Sequence, residues 1–162
     1  MITGQNEKTV AFGTLGAIAT NATSNHYVDT WDSNGVPFEH ARIFAIAPVA
    51  AATNSSAKWT SMVLKDSKVT NVSSATAVSG ATGTTNATAT TAQFVLPAHN
   101  DTAVKSVVVF DVSLPTRERY LHLTVQAASA DASTCAFVAQ LSRAKSSPTT
   151  AAGQGAAAIV YL

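Results

Sequence analysis

Charge is scarce in this sequence. Only 12% of its 162 residues are Asp, Glu, Lys or Arg, about half the usual quarter. Ten cations against nine anions leave a net charge of +1. Such a chain has no basic field to hold a polyanion, so nucleic acid is not an expected partner. It also has little electrostatic repulsion to keep copies apart, which favours a protein that works assembled. Cysteine is nearly absent. The single Cys135 excludes an intrachain disulfide and with it a disulfide-stapled secreted scaffold. Its place on an apolar strand face reads as a small core residue rather than a reactive thiol. No apolar run approaches the roughly 20 residues needed to cross a bilayer, so no membrane partner is expected. The opening Met1-Ile-Thr-Gly-Gln-Asn-Glu-Lys lacks the basic and apolar regions of a signal peptide. Synthesis in a cytoplasm and a soluble product are the expectations.

Helical periodicity is missing as well. Ala is abundant but stands among Thr, Ser and Gly without a 3.6-residue apolar repeat. What is present is alternation. Leu121, Leu123 and Val125 point one way, and Tyr120, His122, Thr124 and Gln126 the other. Cys135, Phe137, Ala139 and Leu141 share a face of the following segment, so the two read as an antiparallel hairpin. His122 falls on its polar, exposed side. Further strands are expected over 9–20, 41–49, 58–65, 93–96, 106–112 and 159–162, with 106–112 buried on both faces. Residues 21–40 read as mostly loop, with a tight turn at Asn34-Gly35. From Val69 to Asn100 no charged residue occurs, and the Gly80–Ala92 part is low in complexity. That tract suits either a disordered loop or an extended segment packed on a neighbour. Eight or nine short strands predict one all-β domain over residues 1–162. It is an antiparallel β-sandwich, jelly-roll-like, with extended terminal arms at 1–8 and 146–162, the latter ending in a last strand.

No catalytic pattern emerges. Gly-x-Ser-x-Gly, His-Glu-x-x-His and phosphate-loop motifs are all missing, and His26 and His40 lack zinc-ligand spacing. Asp32-Ser-Asn34-Gly35 has the look of a calcium loop. With Gly35 in the sixth position, however, the first falls on Thr30 and the twelfth on Ala41, where acidic ligands are needed. An irregular oxygen site at Asp29, Asp32 and Glu39 remains the alternative to a solvated loop. No cofactor, metal or catalytic residue is therefore assigned. Trp59 opens an amphipathic strand and should pack in or beside the core. Trp31, in a polar loop, is either a core plug or a partner contact. Arg117, Glu118 and Arg119 form a charged turn whose arginines suit a partner's carboxylates. With Arg143 and Lys145 near the end of the last long strand, these residues and Trp31 are the interface candidates.

The strand order over roughly residues 40–143 resembles the small all-β capsid decoration, or cement, proteins of tailed bacteriophages. The resemblance rests on the strand Ala41–Val49 and the Trp-bearing Lys58-Trp-Thr-Ser-Met-Val-Leu-Lys, followed by the Thr/Ala tract. It continues in Arg119-Tyr-Leu-His-Leu-Thr-Val and in Phe137-Val-Ala-Gln-Leu-Ser-Arg. It implies a non-enzymatic virion protein on the head exterior, assembled in the host cytoplasm. Its partner would be the major capsid protein, and it would be a dimer or trimer on the shell. Residues 1–8, 69–92 and 146–158 would then be arms or lattice contacts. The alternative is a β-sandwich module that recognises glycans through Trp31 and Tyr27, with a calcium ion at Asp29 and Asp32.

Overall fold

The structure, a computed structural model, describes residues 7–13, 16–19, 21–47, 59–85, 92–96, 106–127, 133–143 and 158–161. In chain order the strands are β1 (Glu7–Ala11), β2 (Gly16–Ile18), β3 (Thr23–Asp29), β4 (His40–Ala47), β5 (Trp59–Ser67), β6 (Thr76–Thr84), β7 (Phe94–Val95), β8 (Ser106–Ser113), β9 (Tyr120–Ala127), β10 (Ser133–Ser142) and β11 (Ala158–Tyr161). The only helical piece among the described residues is a 3-10 turn at Val72–Ser74. No helix there is long and apolar enough to cross a membrane.

Two sheets face each other. One runs β1-β10-β4-β8-β11, with β2 also on β10, and the other runs β3-β9-β5-β6-β7. With β2, β7 and β11 set aside, the remaining strands in chain order stack as first, eighth, third, sixth and second, seventh, fourth, fifth. That interleaving is the double Greek key of a jelly roll. The ladders are antiparallel except for β6–β7 and β8–β11, which are parallel additions at the sheet edges.

Alternation builds the core. Leu121, Leu123 and Val125 of β9 meet Cys135, Phe137, Ala139 and Leu141 of β10, together with Ile43, Met62, Leu64 and Phe110. A fully buried side chain of this size contributes about 1.5–3 kcal/mol through lost apolar hydration. Trp59 is buried in the same cluster, and its Nε1–H donates to Cys135 Sγ at 3.1 Å. On β8 both faces are buried: Val108, Phe110 and Val112 enter the core, and Val109 and Asp111 are covered on the other side. The buried Asp111 is bound there by His40 and by Arg42, whose Nη2 lies at 3.4 Å.

Four expectations are corrected or sharpened. β9 and β10 are not a hairpin. β9 lies between β3 and β5 in one sheet, and β10 between β1 and β4 in the other. Their alternating faces meet across the sandwich, which period-two burial cannot distinguish from pairing. Residues 21–40 hold a strand as well as loop, because β3 takes Thr23–Asp29. Its inward positions are Ser24, His26 and Val28, and only Val28 is apolar and fully buried. His122 is not exposed: the turn after β5 lays the Val69 carbonyl over it, and His122 Nε2–H donates to that oxygen at 3.1 Å. Within the 69–92 tract, Thr76–Thr84 is the sheet strand β6, the extended alternative rather than an arm or disordered loop, and residues 86–91 lie outside the described residues. Its pairing with β5 shifts between Val63 and Lys65, and Gly80 takes φ +87, so burial falls on Val78, Ala81 and Gly83 rather than every second residue. A Cβ on Gly83 would stand 2.3 Å from the Phe94 ring, which fills that space as β7 docks.

The chain ends also differ from expectation. Glu7 and Lys8, placed in the N-terminal arm, belong to β1, and residues 1–6 lie outside the described residues. The last strand is β11, parallel to β8, and the 146–157 part of the tail lies outside them too.

Candidate functional site: a cleft at one end of the sandwich

Jelly-roll connectivity decides which loops meet. The β3–β4, β5–β6 and β8–β9 connections share one end, where β10 also finishes. Trp31, Asp66, Arg117 and Arg143 therefore converge although the sequence scatters them.

The β3–β4 connection is a self-contained turn. Asp32 Oδ1 accepts the Asn34 and Val36 amides, both at 2.9 Å, and the Asp32 amide donates to the Val36 carbonyl at 2.9 Å. Gly35 closes it at φ +77, a left-handed conformation that glycine adopts without steric cost, as the Asn-Gly pair suggested. Thr30 ties this loop to the β8–β9 connection. Its amide and its Oγ1 hydroxyl both donate to the Arg119 carbonyl, at 3.0 and 2.6 Å. The Phe38 amide returns to the Thr30 carbonyl at 2.9 Å, and the Leu114 amide donates to the Glu39 carbonyl at 2.9 Å.

Between these loops opens a cleft of about 550 Å³. Val36, Pro37, Phe38, Leu114, Pro115 and Trp31 give it an apolar lining, while Glu39, Arg117 and Arg143 supply charge. Pockets of this volume hold small ligands or a few side chains.

The arginines differ in what they have already bound. Arg119 grips Asp29 with two bonds, Nε to Oδ1 at 3.0 Å and Nη2 to Oδ2 at 2.6 Å. Its guanidinium stands 4.9 Å from the Trp31 ring and 5.1 Å from that of Tyr120. Burial alone would raise the Asp29 pKa. Hydrogen bonds from Arg119 and the Trp31 amide outweigh it and hold the carboxyl below its ordinary range. Arg143 pairs with Asp32 and lies 4.9 Å over the Phe38 ring. The Asp32 carboxyl is also held low, first by the Val36 amide and with help from Arg143. Arg117 has only a loose ion pair, with Nη1 3.9 Å from Asp66 Oδ2, and its Nε is cut off from solvent with no hydrogen-bond partner among the described residues.

Trp31, Arg117, Arg119 and Arg143 thus come to one end, with Arg119 bracing Trp31 and Asp29 rather than lining the cleft. Trp31 is half-buried and lines the cleft, so it is no core plug. Among the described residues Glu118 makes only an exposed 4.0 Å pair with Lys68, and Lys145 lies outside them. The oxygen site at Asp29, Asp32 and Glu39 does not assemble, because the two aspartates are each committed to an arginine. No group of three or more His, Cys, Asp or Glu able to hold a metal occurs among the described residues. Sequence reasoning missed Asp66, Leu114, Pro115 and Val36. Once a jelly roll is assumed, the shared end of its connections is the signal that would have found them.

No protein-family model, curated protein or solved structure matches the chain. The cleft's own geometry and chemistry carry the functional reading.

Proposed function

We propose that this chain is a capsid decoration protein of a tailed bacteriophage. It sits on the head exterior, makes no chemistry, and stabilises contacts between major capsid protein subunits. One observation carries the reading. At one end of a rigid sandwich, an indole, apolar side chains and two arginine side chains border a single cleft. Aromatic residues and Arg are enriched where protein interfaces concentrate their binding energy. The loops around the cleft are tied by backbone hydrogen bonds, so a partner meets a preformed surface and little ordering entropy is lost on docking. Weak contacts repeated over a symmetric shell by a dimer or trimer add up to firm retention. Mass spectrometry of purified particles tests the reading. Stoichiometric amounts of the chain are expected, and their absence would overturn it.

A second reading, a glycan-binding module, draws on one feature. Tyr27 is 49% exposed and packs edge-on at 5.9 Å against Tyr120, which continues through Arg119 to Trp31. Such a ladder offers ring faces to a sugar. Saturable glycan binding lost in Tyr27→Ala would favour it over the decoration role. Calcium plays no part in this form, since Asp29 and Asp32 already neutralise arginines.

A further inference from the structure

We propose that the cleft receives a peptide carboxylate flanked by apolar side chains, presented by a partner protein, and that Arg117 is its anchor. The inference deepens the docking role of the cleft and does not depend on the partner being a capsid protein.

The argument starts from unequal saturation. Arg119 spends two donors on Asp29 and both ring neighbours on its guanidinium, and Arg143 is held by Asp32 and Phe38. Arg117 has no such commitment. Its side chain is only 23% exposed, Asp66 stands beyond hydrogen-bond distance, and its Nη groups make no hydrogen bond among the described residues; its Nε is enclosed, as is that of Arg143. A guanidinium carries five donors in a planar fork. Part-enclosed and without a close acceptor, its Nη donors stay unspent in the free protein, and an acceptor arriving in the cleft takes them. The acceptor that fits the fork bidentately is a carboxylate or a phosphate.

The walls choose between these two. Glu39 lines the same cleft and disfavours a second negative charge. A singly charged carboxylate is therefore preferred over a phosphate dianion. Val36, Pro37, Leu114, Pro115 and the Trp31 indole leave the rest of the space apolar, suited to aliphatic neighbours of the acid. Backbone bonds of Thr30 and Glu39 to the facing loop set these walls before any ligand arrives.

Titration calorimetry at low ionic strength with acetyl-Leu-Glu-Leu-amide, its Gln twin, and acetyl-Leu-Gln-Leu as the free acid tests this. The Glu peptide should saturate below about 10 mM and bind at least about tenfold more tightly than the Gln amide. Arg117→Gln should lose that tenfold while melting no lower than wild type, and Glu118→Gln should bind as wild type does. Binding of the free acid alone also supports the proposal, with a chain end as the source of the carboxylate. Saturable binding of the Glu and Gln amides with equal affinity, no saturation by any peptide, or full binding by Arg117→Gln overturns it. A chain absent from particles that still binds the Glu peptide sinks the decoration reading and leaves this one standing. Particles that carry the chain, with no carboxylate preference in calorimetry, do the reverse.

Discussion

The interior of the sandwich and the cleft end are built on different physics. Inside, burial is continuous and nearly chargeless: Leu121, Leu123, Met62 and Phe110 fill the space between sheets, and any one is supported by neighbours from both. At the end, the walls are apolar but their positions are set by polar clasps, namely Asp29 on Arg119, Asp32 on Arg143 and Thr30 on the facing loop. The interior supplies stability that depends little on which residue bonds to which. The end supplies a shape that depends on particular pairs. Damage inside should therefore be thermodynamic and global, while damage at the end should be modest and local.

The sharpest contrast comes from Leu123→Ala. The side chain is completely buried, so its loss should cost about 3 kcal/mol in urea unfolding, and a cost below about 1 kcal/mol would dissolve the distinction. Gly83→Ala comes next, because the new methyl meets the Phe94 ring; about 2 kcal/mol is expected by the same measurement. Asp29→Asn tests the other region. It removes a bidentate pair in a part-buried setting and should cost about 1 kcal/mol, with amide exchange quickening in the β3–β4 and β8–β9 loops and not in β9 or β10. Acid should reproduce that local loosening without mutation. The folded pKa values of Asp29 and Asp32 lie below 3.8, so the stability they lend is complete above about pH 4 and is lost as pH falls through the depressed values. His26, whose pKa burial lowers from 6.5, acts earlier and from within: its contribution is complete above about pH 6.5 and declines as pH falls towards the lowered value. Two separate steps in a stability–pH profile are expected, and His26→Phe should erase only the upper one. Glu118→Gln should be smallest, within about 0.5 kcal/mol, because its pair with Lys68 is exposed and 4.0 Å long.

Legibility follows the same division. The strand faces of Leu121–Val125 and Cys135–Leu141 could be read directly, since period-two burial is written locally. Their partners could not, because pairing within a sheet and packing across sheets leave the same alternation. β3 hid because Ser24 and His26 occupy inward positions. β6 hid because the irregular pairing beside Gly80 changes which residues face the core. At the site, Trp31, Arg117, Arg119 and Arg143 stood out as an aromatic and cations in polar turns. Their states did not: Asp29 precedes Arg119 by 90 residues and Asp32 precedes Arg143 by 111, so only the assembled fold separates the two spent arginines from Arg117.

The burial of Cys135 beneath the Trp59 indole has a consequence for any two copies that meet. At 1% exposure the thiol cannot meet another copy's thiol while the two sheets stay closed, so encounters between copies do not cross-link them through air oxidation. The same burial makes the sulfur a clock. Alkylation has to wait for the sandwich to part, and its rate counts those openings one molecule at a time.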